Sequence, residues 1–109
     1  MMRIEWDEMA IQQLESLKKG KAGFVKLIYD SEDCGCGDDG VSTLWYISEP
    51  EGNEIEIETN IGRMLVDKDK VVYLDDEMKI AWVPEYNCFR LTTKKGIITP
   101  FMKFYNWVN

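Results

Sequence analysis

The sequence predicts an α+β domain: a helix near the N-terminus, then a run of mostly antiparallel strands. Three observations carry this. Residues 7–19 place Ala10, Ile11, Leu14 and Leu17 at helical spacing. Phe24-Val25-Lys26-Leu27-Ile28-Tyr29 is rich in β-branched and aromatic residues. Glu54-Ile55-Glu56-Ile57-Glu58-Thr59 alternates polar and apolar residues, the mark of a strand with one wet face. A length of 109 residues, 45% of them hydrophobic, suits one domain over residues 1–109 with a real core.

The elements follow in order. Arg3-Ile4-Glu5 forms a short strand. Asp7 caps the helix, Glu8 suits its positive start, and Lys18-Lys19-Gly20 ends it. The strand from Phe24 runs into a cysteine-bearing loop over 30–42, and Thr43-Leu44-Trp45-Tyr46-Ile47 is the next strand. Pro50-Glu51-Gly52-Asn53 is a turn, and Asn60-Ile61-Gly62 ends the alternating strand. Met64-Leu65-Val66 is short and apolar. Val71 to Leu74 fits strand or helix, and Asp67 with Asp75-Asp76 would bracket a short helix. Lys79 to Val83 is a strand ended by Pro84, and Cys88 to Thr92 is another, followed by the turn Thr93-Lys94-Lys95-Gly96. The aromatic tail from Ile97 to Val108 must pack against something.

Composition excludes several functions. Twenty acidic against thirteen basic residues give a net charge of −7, unsuited to nucleic-acid binding and suited to cations or a basic partner. No apolar run approaches a membrane span, and Met1 to Glu8 is acidic rather than signal-like, so a cytoplasmic protein is expected. With no histidine there is no Cys–His or Ser–His pair, and no phosphate-binding loop is present; the chain reads as a non-enzyme.

The chemistry concentrates in Asp33-Cys34-Gly35-Cys36-Gly37-Asp38-Asp39-Gly40. Two of the three cysteines sit one residue apart among glycines that let both sulfurs turn the same way. Cytosolic thiols stay reduced, and three cysteines leave one unpaired, so a structural disulfide is disfavoured. The surrounding carboxylates keep the thiols protonated and slow redox or nucleophilic chemistry. They also attract a cation, and a bound metal would deprotonate the thiols outright. Cys34 and Cys36 are therefore candidate ligands for iron or an iron–sulfur cluster. One CxC gives two ligands and a cluster needs about four. The site is shared between subunits, or ligands come from elsewhere, or no metal binds. Cys88, in a strand, reads as core.

The order of these elements resembles the HesB-like iron–sulfur cluster biogenesis family, the A-type carriers. The likeness spans the helix from Asp7 to Leu17, the strand and loop from Phe24 to Cys36, and Ile55 to Asp67. It continues through Val71 to Asp76, Lys79 to Trp82 and Phe89 to Thr92. It is closest to a small stand-alone Gram-positive branch with Cys-Gly-Cys in the loop and a terminal Pro-x-Met. The resemblance implies a HesB-like domain, β-sandwich-like with a short internal helix, and a role as an iron–sulfur biogenesis accessory. It further implies Cys34 and Cys36 as ligands, a homodimer, and iron–sulfur assembly proteins as partners. The carriers' C-terminal Cys-Gly-Cys is missing: by family spacing it falls at Pro100-Phe101-Met102, where only the Met102 thioether, a weak metal ligand, supplies sulfur. A second reading follows: a binding module that has kept the fold, lost the cluster, and uses an aromatic surface for a small ligand or protein.

Overall fold

A computed structural model describes residues 2–30, 41–74 and 76–108. Strand β1 (Arg3–Trp6) precedes helix α1 (Glu8–Lys18). The Asp7 carboxylate accepts the amide of Ala10 at 2.7 Å, satisfying one of the helix's free first-turn donors. The helix ends at Lys19 in the left-handed region (φ 56°), with its amide donating to the Ser16 carbonyl. Strands β2 (Phe24–Asp30) and β3 (Val41–Ile47) then pair antiparallel from Phe24↔Ile47 to Asp30↔Val41. Gly23 permits this approach, since a Cβ there would lie 2.7 Å from the Ile47 carbonyl oxygen.

Strands β4 (Glu54–Thr59) and β5 (Gly62–Asp67) form a tight hairpin, and a 3₁₀ helix spans Lys68–Tyr73. Strands β6 (Glu77–Val83), β7 (Cys88–Thr93) and β8 (Gly96–Met102) form a meander, and β9 (Phe104–Asn106) follows. Asp67 does precede the short internal helix, but its side chain makes no capping bond; the carboxylate is engaged by Lys26 instead.

The arrangement corrects the expectation of a mostly antiparallel sandwich. The described strands make one mixed sheet in the order β8-β7-β6-β1-β4-β5-β2-β3-β9. Four neighbour pairs are antiparallel and four parallel. The antiparallel pairs are hairpins, local in sequence. The parallel ones join distant segments: β1 lies between β4 and β6, β2 lies beside β5, and β3 beside β9. Asn60 extends the β1 contact beyond β4. Its side-chain oxygen accepts from the Trp6 amide at 2.8 Å and its nitrogen donates to the Trp6 carbonyl at 2.9 Å, replacing a backbone pair.

The sheet is nearly closed by one stretch of chain. β8 pairs with β7 as far as Phe89↔Met102, then the Leu44 amide donates to the Lys103 carbonyl at 2.8 Å. Immediately afterwards β9 runs parallel to β3, from Leu44↔Phe104 to Tyr46↔Asn106. Residues 96–106 thus bond to both ends of the sheet order. The enclosed face carries the core: Ile4 and Trp6 of β1, Ala10 and Leu14 of α1, Leu27, Leu44, Val66, Ile80 and Phe89 among others.

Phe89 is fully buried at the meeting of three aromatic neighbours, with ring centroids 5.8 Å from Trp6, 5.0 Å from Trp82 and 6.2 Å from Phe104. It therefore links β7 to β1, β6 and β9. Phe89→Ala is expected to cost about 3–5 kcal/mol, lost transfer energy plus a cavity that its neighbours cannot fill. Urea denaturation of the full chain measures it, and a loss under about 1 kcal/mol contradicts this role.

Candidate functional site

The β2–β3 ladder fixes where the cysteine segment leaves and rejoins the fold. Its last pair, Asp30↔Val41, brackets residues 31–40. Cys34 and Cys36 lie outside the described residues, so their expected ligand role rests on sequence. At the foot of this segment, the Ser42 amide donates to Thr99 Oγ1 of β8 at 3.2 Å, and both residues are buried. The closing stretch 99–103 therefore runs beside β3, the strand that follows residues 31–40. This stretch includes Pro100-Phe101-Met102, where the resemblance to the A-type carriers would place a second cysteine motif.

What that part contains here is not a thiol. Pro100 lies within β8, and its carbonyl is 3.5 Å from Arg90 Nε. Phe101 is half-exposed and meets the Tyr86 ring edge-on at 4.8 Å between centroids. Met102 is fully buried among the core residues, in register with Phe89. Cys88 is a free thiol, buried and paired in register with Val83. Among the described residues no group of three or more Cys, Asp or Glu side chains is arranged to hold a metal ion.

Sequence reasoning missed the most unusual polar feature. Lys26, in the middle of β2, is only 1% exposed. Its ammonium lies 2.8 Å from Glu54, 3.0 Å from Asp67 and 3.1 Å from Glu51. Glu54 in turn accepts the backbone amides of Glu51 and Gly52, both at 2.9 Å. This cage ties β2, the strand that leads into the cysteine segment, to β4, β5 and the turn before β4. In sequence, Lys26 reads as an ordinary wet-face residue between apolar neighbours. The only signal was acids at the ends of two other strands, and their convergence needs the parallel β2–β5 register.

The electrostatics are consistent. Burial pulls the Lys26 pKa down, but the hydrogen bonds it donates to Glu54, Asp67 and Glu51 outweigh it and raise the ammonium above its usual 10.5. The Lys26 hydrogen bond, aided by the two backbone amides, lowers Glu54 from 4.5 to about 2 despite its burial. Both groups stay ionised at neutral pH.

A separate cavity of about 500 Å³ lies over β1, β6 and β7, lined by Arg3, Glu5, Glu77, Lys79 and Lys94 among others. Lys94 bonds Glu77 at 2.9 Å, and the wall carries charges of both signs.

Comparison with known proteins now bears on this arrangement. The family model described as iron-sulphur cluster biosynthesis matches residues 2–106. The chain belongs to that family. It is similar to the Bacillus subtilis (strain 168) protein YqkB, with 30% identity over 95 residues, covering 87% of each chain. In structure it resembles a candidate Fe–S biosynthesis protein from Lactobacillus salivarius, with a TM-score of 0.76, 19% identity, and 97% and 98% of the two chains covered. It also resembles IscA determined with a [2Fe-2S] cluster, with a TM-score of 0.65 and 17% identity over 90% of this chain and 97% of that one. At these identities the structural likeness establishes the fold. For this member of the Fe–S biosynthesis family the fold is α+β: one helix near the N-terminus and a large, mixed, nearly closed sheet. Among the described residues no helix is long and apolar enough to cross a membrane.

Lys26→Met leaves the Glu54 carboxylate buried without its cation and is expected to cost about 3–5 kcal/mol. Glu51→Gln, at a side chain 67% exposed, is expected to cost less than about 1 kcal/mol. Because the folded pKa of Glu54 is depressed, its contribution is complete above pH 4.5 and is lost as pH falls towards about 2. The raised Lys26 contributes fully below pH 10.5 and less as pH climbs beyond it. Denaturation midpoints of wild type and Glu54→Gln across pH 2 to 7 test this, and an equally steep acid loss in the variant contradicts it.

Proposed function

We propose that this protein binds iron or an iron–sulfur cluster as cargo through Cys34 and Cys36, and serves as an accessory in cluster biosynthesis. The observation that carries the reading is the family match over residues 2–106 together with a paired cysteine motif in its sequence. The chemistry of the donors agrees. Thiolates suit iron, and the acids around the motif favour an approaching cation. The chain's remaining sulfurs near this region are ill suited to help. Cys88 and Met102 are buried in the fold, and a thioether is in any case a weak neutral ligand. Two chains pooling four thiolates match the count of about four that a cluster takes, so the cargo-bound form is a homodimer. Iron–sulfur assembly proteins are then the expected donors and acceptors of that cargo.

The test is anaerobic. Iron and acid-labile sulfide per chain, with the absorption spectrum, are measured before and after reconstitution on wild type and on Cys34→Ser with Cys36→Ser. Stoichiometric uptake in the wild type, lost in the double variant with circular dichroism unchanged, is expected. Equal iron and sulfide in the two proteins overturns the assignment. Sedimentation before and after loading is expected to show monomers converting to dimers as cargo binds.

A further inference from the structure

The outer face of the sheet, opposite the core, has two unlike halves. Phe24 and Lys26 of β2 alternate with core residues, and so do their partners Ile47 and Trp45 of β3. Tyr105 of β9 is in register with Trp45, and the Trp107 amide donates to the Tyr46 carbonyl at 2.8 Å, carrying the ladder one step further. The rings form one surface. Trp107 lies 5.6 Å from Trp45, edge-on, and 6.1 Å from Tyr105, stacked. Phe24, Tyr105 and Trp107 are 43%, 42% and 55% exposed. Exposed aromatics grouped in this way exceed what isolated exposed residues explain.

The other half, beyond Lys26, is acidic. Glu51, Glu54 and Asp67 surround one ammonium, leaving a net charge of −2 directly beside the aromatic half. Lys26 bridges the two halves, in register with Trp45 on one side and Leu65 on the other. Its own charge is spent inside the cage and does not repel a cation arriving over the rings. The chain as a whole carries −7.

We propose that this face docks a cationic segment of a partner protein, one that sets arginine or lysine side chains over Trp45, Tyr105 and Trp107 and against Glu51 and Asp67. Rings with carboxylates beside them favour such cations twice, through the quadrupole of the rings and through the charge of the acids. Arginine suits it best, since its planar guanidinium stacks on rings and bonds carboxylates at once. The face uses none of the cysteine chemistry and stands apart from the cargo reading.

A dye-labelled octapeptide alternating arginine and leucine, and its glutamate–leucine counterpart, are titrated with the full chain and followed by fluorescence anisotropy. The arginine peptide is expected to bind saturably and the glutamate peptide not at all. Tyr105→Ala with Trp107→Ala is expected to weaken binding about tenfold with circular dichroism unchanged. Glu51→Gln is expected to weaken it about threefold. In the wild type, amide NMR shifts induced by the arginine peptide are expected around residues 24, 45, 105 and 107, a readout that needs no variant. Equal binding of both peptides, no binding, unchanged affinity in the aromatic double variant, or shifts confined to other faces each overturn the proposal. So does a concentration-dependent dimer of the unloaded chain that the double variant abolishes, since the face would then serve a second copy.

Discussion

Everything in this fold depends on how residues 96–106 close the sheet. A single extended stretch bonds first to β7 and then, after Lys103, to β3. These strands stand near opposite ends of the sheet order. Closure removes edges that would otherwise expose unpaired backbone groups and wraps the inner side chains into one core. It also decides where Thr99 to Lys103 can lie, beside β3, the strand that follows residues 31–40.

The Lys26 cage plays a complementary part. A nearly closed mixed sheet must hold its parallel seams without the help of hairpin turns, and parallel neighbours are far apart in sequence. The β2–β5 seam is in register over two pairs, Lys26↔Leu65 and Leu27↔Val66. A buried ammonium that reaches carboxylates on β4, β5 and the preceding turn pins that seam. Any other register would leave a buried charge unmatched, an outcome far costlier than a lost surface contact. The β1–β4 seam is secured differently, by the amide of Asn60 standing in for a strand residue. Both devices place polar chemistry where turn geometry cannot act.

The closing stretch also shows how one segment can serve a family site in some proteins and packing here. By the spacing the resemblance implies, Pro100, Phe101 and Met102 stand where a second cysteine motif would fall, yet Met102 fills the core and Phe101 faces outward against Tyr86. Without a second thiol motif in the same chain, the remaining ligand capacity sits in residues 31–40. That asymmetry is the reason the proposed cargo site is drawn from two chains.

Local structure was legible in the sequence because it depends on neighbours along the chain. The Asp7 cap, the helix that follows, the alternation of β4 and the strand ended at Pro84 are all set by interactions spanning a few residues. The cysteine motif and its acidic surroundings were equally plain, since composition alone states which donors exist. The sheet order was not legible. Parallel pairing of β1 with β4 and β6, of β2 with β5 and of β3 with β9 is chosen by global packing, and each partner strand reads the same in isolation whichever neighbour it takes. For that reason the sequence led to an antiparallel sandwich where the structure has a mixed, nearly closed sheet, and neither the Lys26 cage nor the grouping of Trp45, Tyr105 and Trp107 could be read from it. Only tertiary structure, by setting register across strands distant in sequence, brought three carboxylates to one ammonium and three rings to one face.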